Sequence, residues 1–145
     1  MTQMEIKFSA SLINEGFARN SVSSFVMFLN PTIDEIIEIK TIVSEAVTNA
    51  IIHGYLHDET KEVVIKARIN DRTLELEVID QGIGILNIEE AKTPLFSSLK
   101  SIEHAGMGLS IIETLADGFE IISSNQGTRL MIQKTFKEHH ASQDS

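Results

Sequence analysis

The sequence predicts an α+β fold, a two-layer α/β sandwich with helices on one face of a mixed, mainly antiparallel sheet. Three observations predict it. Short segments near both ends and in the middle of the chain alternate apolar and polar residues, the period of half-buried strands. Three longer segments carry apolar residues at helical spacing. The strands cluster on both sides of the helices, which favours helices segregated on one face of a sheet.

Met4, Ile6, Phe8 and Ala10 alternate with polar neighbours and form the opening strand. A first helix follows over Ser11 to Leu29, with Phe17, Ala18, Val22, Phe25, Val26 and Leu29 on its spacing, and Asn30-Pro31 stops it. A second helix starts at Thr32, where Glu35 completes a capping box, and runs to Gly54. Val63 to Ile69 and Leu74 to Ile79 read as a hairpin joined at Asn70-Asp71. Gly82 to Ser101 holds few apolar periods beyond a short helix at Ile88 to Lys92, and its length suits a functional lid. Gly108 to Ala116 is helical, Gly118 ends it, and Phe119 to Ser123 with Thr128 to Thr135 close the chain as a second hairpin. Met27, Met107 and Met131 read as core filler. Residues 1–136 form one domain and 137–145 a solvated tail.

Composition removes several function classes. With 12 Lys and Arg against 21 Asp and Glu, the formal net charge is −9, the wrong sign for a surface that displaces counterions from nucleic acid or docks on an anionic membrane. The chain has no cysteine, which excludes disulfide frameworks, zinc knuckles and thiol catalysis. No charged-then-apolar leader and no span-length apolar run is evident, so the expected location is the cytoplasm.

The stretch SEAVTNAIIHGY, Ser44 to Tyr55, places Glu45 and Asn49 four residues apart on one helix face, inside an apolar pattern. Polar groups buried without partners are costly, so this row expects a ligand. His53 and His57 have metal-pair spacing, but Gly54 ends the helix between them and no third ligand is evident. Two glycine pairs offer a cradle. Asp80-Gln81-Gly82-Ile83-Gly84 follows a strand, and Gly106-Met107-Gly108 leads into a helix whose N-terminal amides suit phosphate. Neither pair has the Lys-Ser/Thr of a P-loop or the strand-glycine-helix unit of a dinucleotide fold. Val63-Val64-Ile65-Lys66 echoes a kinase lysine strand without its partner motifs.

In order along the chain, EAVTNAIIHG at 45–54, DQGIG at 80–84, GMGL at 106–109 and the late GT at 127–128 resemble the N, G1, G2 and G3 boxes of the GHKL ATPases. FSA near the start, EGFAR at 15–19, NPTIDE at 30–35, IKTIVSEAVTNAIIHGY at 39–55 and IEEAKTPLF at 88–96 resemble, more narrowly, the anti-sigma F family, small serine-protein kinases of sporulation. The resemblance covers about Ile6 to Phe136 and implies the Bergerat ATP-binding fold. It implies that Asn49 is the ligand of Mg²⁺, that Glu45 is the catalytic base, and that Asp80 accepts from the adenine amino group while Gly82 and Gly84 let backbone approach the base. Gly106 and Gly108 would bring amides to the phosphates of ATP, and Thr128 would reach the adenine side. The lid hydroxyls of Ser97 and Ser98 would assist at the γ-phosphate.

The same resemblance implies two partners, a sporulation sigma factor and an anti-anti-sigma protein phosphorylated on serine, with Glu15 and Arg19 as the shared docking pair and the chain acting as a homodimer. No nucleic acid or membrane partner is implied. One departure stands out: Glu103-His104 occupies the place where relatives carry a basic residue, which would screen a γ-phosphate less well. Two functions therefore stand beside each other: an ATP-dependent serine kinase that is also an anti-sigma factor, and a nucleotide-gated binding protein without transfer activity. Glu45 favours the first, since a pure switch has no use for a base.

Overall fold

The computed structural model describes residues 1–85 and 100–138, with backbone alone for 100–107. Its elements run β1 (Thr2–Ser9), α1 (Asn14–Phe25), a 3₁₀ turn (Met27–Leu29), α2 (Ile33–Asn49), a π turn (Ala50–Gly54), β2 (Glu62–Asn70), β3 (Thr73–Asp80), α3 (Lys100–Leu115), β4 (Gly118–Ser124) and β5 (Gly127–Thr135). The five strands form one sheet in the order β1-β2-β3-β5-β4. Its four ladders are all antiparallel, a narrower result than the mixed sheet expected from sequence. The cause lies in the connections. Two helices between β1 and β2 carry the chain out and back, so β2 starts where β1 ends, with Ser9 opposite Glu62.

Strand alternation is as regular as the sequence pattern requires. Leu74, Leu76, Val78 and Asp80 of β3 are buried, as are Thr128, Leu130 and Ile132 of β5. The helices cover this inner face, and α2 is the central one, packed between α1 and α3. Its Ile39, Ile42, Val43, Ala46, Val47 and Ala50 join Ile65, Leu76 and Leu130 in a single core. Burying a side chain of this size contributes about 1.5–3 kcal/mol. The helix starts as expected: Thr32 Oγ1 accepts from the Glu35 amide at 3.1 Å, and Glu35 Oε1 accepts from the Thr32 amide at 2.9 Å.

Three of the boundaries that differ from expectation bear on the packing. The first helix ends at Phe25 and continues as the 3₁₀ turn, closed by Asn30 in the left-handed region at φ 56°. That change of winding turns Leu29 inward and leaves Met27 52% exposed, so Met27 is not core filler. Met131 is half-buried on the sheet's outer face, and the side chain of Met107 lies outside the described residues. The β2–β3 turn is Asp71-Arg72, not Asn70-Asp71, because Asn70 still pairs with Thr73 and it is Asp71 that takes positive φ. The last helix begins at Lys100, ahead of both glycines. The short helix expected at Ile88 to Lys92 lies outside the described residues.

Lys137, expected in the tail, has its backbone held. Its amide donates to Glu35 Oε2 at 2.9 Å, and Arg72 donates to its carbonyl at 2.8 Å and to that of Leu29 at 2.7 Å. Lys134 is an inward-pointing cation at the end of α3, donating to the Leu115 carbonyl at 2.8 Å and pairing with Glu38 at 3.0 Å. A cation there also complements the helix dipole.

A hollow lies on the outer face of the sheet, between residues such as Glu5, Lys66, Glu75, Glu77 and Met131. Its charges face opposite charges across the ladders, Glu5 with Lys66, Lys66 with Glu77, and Arg68 with Glu75. Opposite charges paired across neighbouring strands stabilise such a face. No helix among the described residues is long and apolar enough to cross a membrane.

Candidate functional site

The last turns of α2 carry the row that the sequence singled out. Asn49 is 5% exposed, and its Oδ1 has no hydrogen-bond partner among the described residues. A buried acceptor left unpaired costs about 1–3 kcal/mol, which makes this oxygen a candidate ligand atom. Glu45, one turn earlier, is half-buried. Burial raises the pKa of its carboxyl, and the charge of Glu15 on α1 raises it further. Both effects make the group a better proton acceptor at neutral pH.

Opposite this row lies α3. A Cβ on Gly108 would stand 2.8 Å from Glu45 Oε2, so only glycine lets the helix approach the carboxylate this closely. The helix starts earlier than expected, at Lys100, so Gly106 and Gly108 sit inside α3 and not at its first turn. Interior glycines cost a helix about 1 kcal/mol each, and at Gly108 the close approach of Glu45 accounts for the choice. Ser97 and Ser98 lie outside the described residues.

The second wall is the end of β3. Asp80 is 5% exposed and stands in register with Thr128 of β5. Burial pushes its carboxyl up to about 6, against the opposing effect of the Gly82 and Thr128 amides. The Gly82 amide donates to Oδ1 at 2.9 Å. Thr128 Oγ1 lies 2.9 Å from Ser123 Oγ, and that serine accepts from the Ile85 amide at 2.7 Å. Gly84 takes φ +82° where the loop passes the β4–β5 turn.

Asp80 therefore carries a stability cost at neutral pH. With its folded pKa above the unfolded value, its contribution is fully present below pH 4 and lost as pH rises through about 6. Asp80→Asn is expected to stabilise the nucleotide-free protein at pH 7 by about 1–2 kcal/mol. It should also flatten the stability profile between pH 4 and 6. Urea unfolding across that range checks this, and an unchanged profile would show that Asp80 is not the group responsible.

Glu15 and Arg19 pair along α1 at 3.0 Å. The Glu15 Oε2 and Arg19 Nε atoms make this contact outside hydrogen-bond geometry and are shielded from solvent. The sequence set this pair apart from the nucleotide boxes. The α1–α2 packing brings Glu15 within electrostatic reach of Glu45.

Sequence reading missed Ser123 and Tyr55. Ser123 had no signal beyond a polar residue near a strand end. Tyr55 did: it is the chain's single tyrosine, in a buried segment, and a buried phenol needs a partner.

Comparison with known proteins gives the family and the fold. The family model described as the histidine kinase-like ATPase domain matches residues 8–134. The anti-sigma F factor of Clostridium perfringens (strain SM101 / Type A) is 50% identical over 133 residues, 91% of this chain and 95% of that protein. That of Clostridium beijerinckii is 48% identical over 92% of this chain and 94% of its own length. Among solved structures, one of the RsbU and RsbW domains of a Mycobacterium tuberculosis protein has a TM-score of 0.70 at 20% identity, over 96% of this chain and 34% of that one. The histidine kinase domain of a blue-light activated kinase from Erythrobacter litoralis has a TM-score of 0.56 at 18% identity, over 84% of this chain and 61% of that one. At those identities the structures speak for the fold alone.

Proposed function

We propose, for a chain that belongs to the histidine kinase-like ATPase family and within it to the anti-sigma F factors, that it is an ATP-dependent serine kinase which also holds a sporulation sigma factor. The protein it phosphorylates is the anti-anti-sigma antagonist, and it works as a homodimer. The observation that carries this reading is the buried, unpartnered Oδ1 of Asn49 one turn from Glu45, a glutamate with raised pKa. A hard, oxygen-seeking cation fits that oxygen, since Mg²⁺ takes one or two protein ligands and completes its shell with phosphates and water. When bound, Mg²⁺ would neutralise charge on the phosphates during transfer.

The residues of the chain divide the remaining work. Asn49 would orient the metal from the floor of the site. Asp80, with one oxygen already taken by the Gly82 amide, keeps acceptor capacity for the adenine amino group. Thr128, beside Asp80 in the ladder, completes that wall. Glu45 would accept the proton of the attacking serine hydroxyl, and the serine oxygen forms its bond to the γ-phosphorus as the bond to the β-phosphate oxygen breaks, with ADP leaving. Phosphoryl transfer asks little else of a protein than positioning, charge and a base. Incubation with γ-labelled ATP, Mg²⁺ and an anti-anti-sigma protein tests this directly. Label is expected on a serine of the antagonist, and label on this chain instead would overturn the assignment.

Docking on α1 gives a second test. Arg19→Glu reverses a charge at the proposed shared surface and places it beside Glu15, which should weaken binding of both sigma factor and antagonist by about 2 kcal/mol or more. ATP affinity should hardly change. Pull-downs as strong as for the unaltered chain with either partner would reject the shared surface.

A further inference from the structure

The turn that follows Asn49 is wound as a π turn. The Tyr55 amide donates back five residues to the Ala50 carbonyl at 2.9 Å. Single π turns inside helices recur at functional sites because they redirect the groups that follow. Here the groups redirected are Gly54 and Tyr55, and both are bonded to the loop after β3. The Gly54 carbonyl accepts from the Ile83 amide at 3.0 Å. The Tyr55 hydroxyl accepts from the Gln81 amide at 2.7 Å and donates to the Glu62 carbonyl at 2.6 Å. The ring itself is 7% exposed.

The fit between the two segments leaves no slack. A Cβ on Gly54 would stand 2.8 Å from the carboxyl of Asp80, and one on Gly82 would overlap the Gly54 carbonyl. Asp80 is thus held from behind by Gly54 while the residue after it is held by Tyr55. One hydroxyl spans the end of α2, the start of β2 and the loop leaving β3.

Resting on the ATP-binding reading above, we infer that Tyr55 is a positioning residue for recognition of the nucleotide base: with the π turn before it, its hydroxyl fixes the Gln81–Ile83 loop so that Asp80 meets a base edge bearing an exocyclic amine. Asn49 and Tyr55 stand at either side of one π turn, so the metal end and the base end of the site are set by the same segment.

Tyr55→Phe keeps the ring and removes both hydrogen bonds. Losing them should raise the Kd for ATP about tenfold while leaving the weak affinity for GTP within about twofold, so the preference for adenine falls several-fold. Turnover at saturating ATP should stay within about twofold, a change in KM rather than kcat. A variant that is less stable yet keeps the full preference for ATP over GTP would make Tyr55 a structural residue only and overturn the inference. A probe that retains the hydroxyl guards against misfolding. 3-Fluorotyrosine at the chain's single tyrosine should show a fluorine resonance that moves on adding ATP and not on adding tripolyphosphate. A resonance that ignores ATP under conditions where ATP binds would also overturn it. Asp80→Asn separates the two levels: unchanged ATP affinity in that variant would sink the base-recognition reading itself, whereas a loss there with none in Tyr55→Phe would sink only the role of Tyr55.

Discussion

Asn49→Ala is expected to abolish most ATP-dependent behaviour while barely disturbing the nucleotide-free fold. The two halves of that result have one cause. Among the described residues Asn49 Oδ1 is buried without a partner, so its removal should relieve a penalty of about 1–3 kcal/mol that offsets the lost packing. In the complex the same oxygen would be the protein's ligand for Mg²⁺, which bridges the phosphates in both ground and transition states. Affinity for Mg-ATP should fall about tenfold or more, and transfer by about 10²-fold or more, the loss seen when one preorganised electrostatic contact is removed. Thermal unfolding with and without Mg-ATP reads both at once. The unaltered chain should gain stability from the ligand by mass action, and the variant should gain almost none. A variant stabilised by Mg-ATP as much as its parent would remove Asn49 from the metal site.

Glu45→Gln should differ in kind. Glutamine keeps the size and one acceptor oxygen, so the close approach of Gly108 survives, but it cannot take a proton. ATP affinity and sigma-factor binding should stay near normal while single-turnover transfer falls by about 10²–10⁴, the usual contribution of a positioned base. Transfer at the normal rate would make Glu45 a structural member of α2. The neighbouring charge of Glu15 bears on the same experiment, since it helps keep the Glu45 pKa raised.

Legibility from sequence followed the range of the interaction. The Thr32–Glu35 capping box is local, three residues apart, and both its hydrogen bonds are present. The alternation of Leu74, Leu76 and Val78 fixed the inner face of β3, because a strand has only two faces to choose between. The pairing of Glu45 with Asn49 was readable for the same reason, as four residues are one helical turn. What was not readable depends on distant partners. The π turn at Ala50–Gly54 exists where Gly54 meets Ile83 and Asp80, and five residues carry no periodic signal for it. The exposure of Met27 follows from a switch to 3₁₀ winding that the apolar spacing of Ser11 to Leu29 could not show. Nor could α1 and α2, read separately, show that Glu15 reaches Glu45. The glycine pair at 106 and 108 suggests a helix entrance, yet α3 runs through both.

A crystal structure with Mg²⁺ and a non-hydrolysable ATP analogue would show which atoms hold the metal and the base. Asn49 Oδ1 is expected on the metal at about 2.0–2.1 Å, the distance of an octahedral Mg²⁺ ligand. The Asp80 carboxylate is expected on the adenine amino group, and Glu45 free of the metal and facing the γ-phosphate. A nucleotide seated elsewhere, or one whose metal is held by other residues while Asn49 Oδ1 stays without a partner, would contradict this assignment.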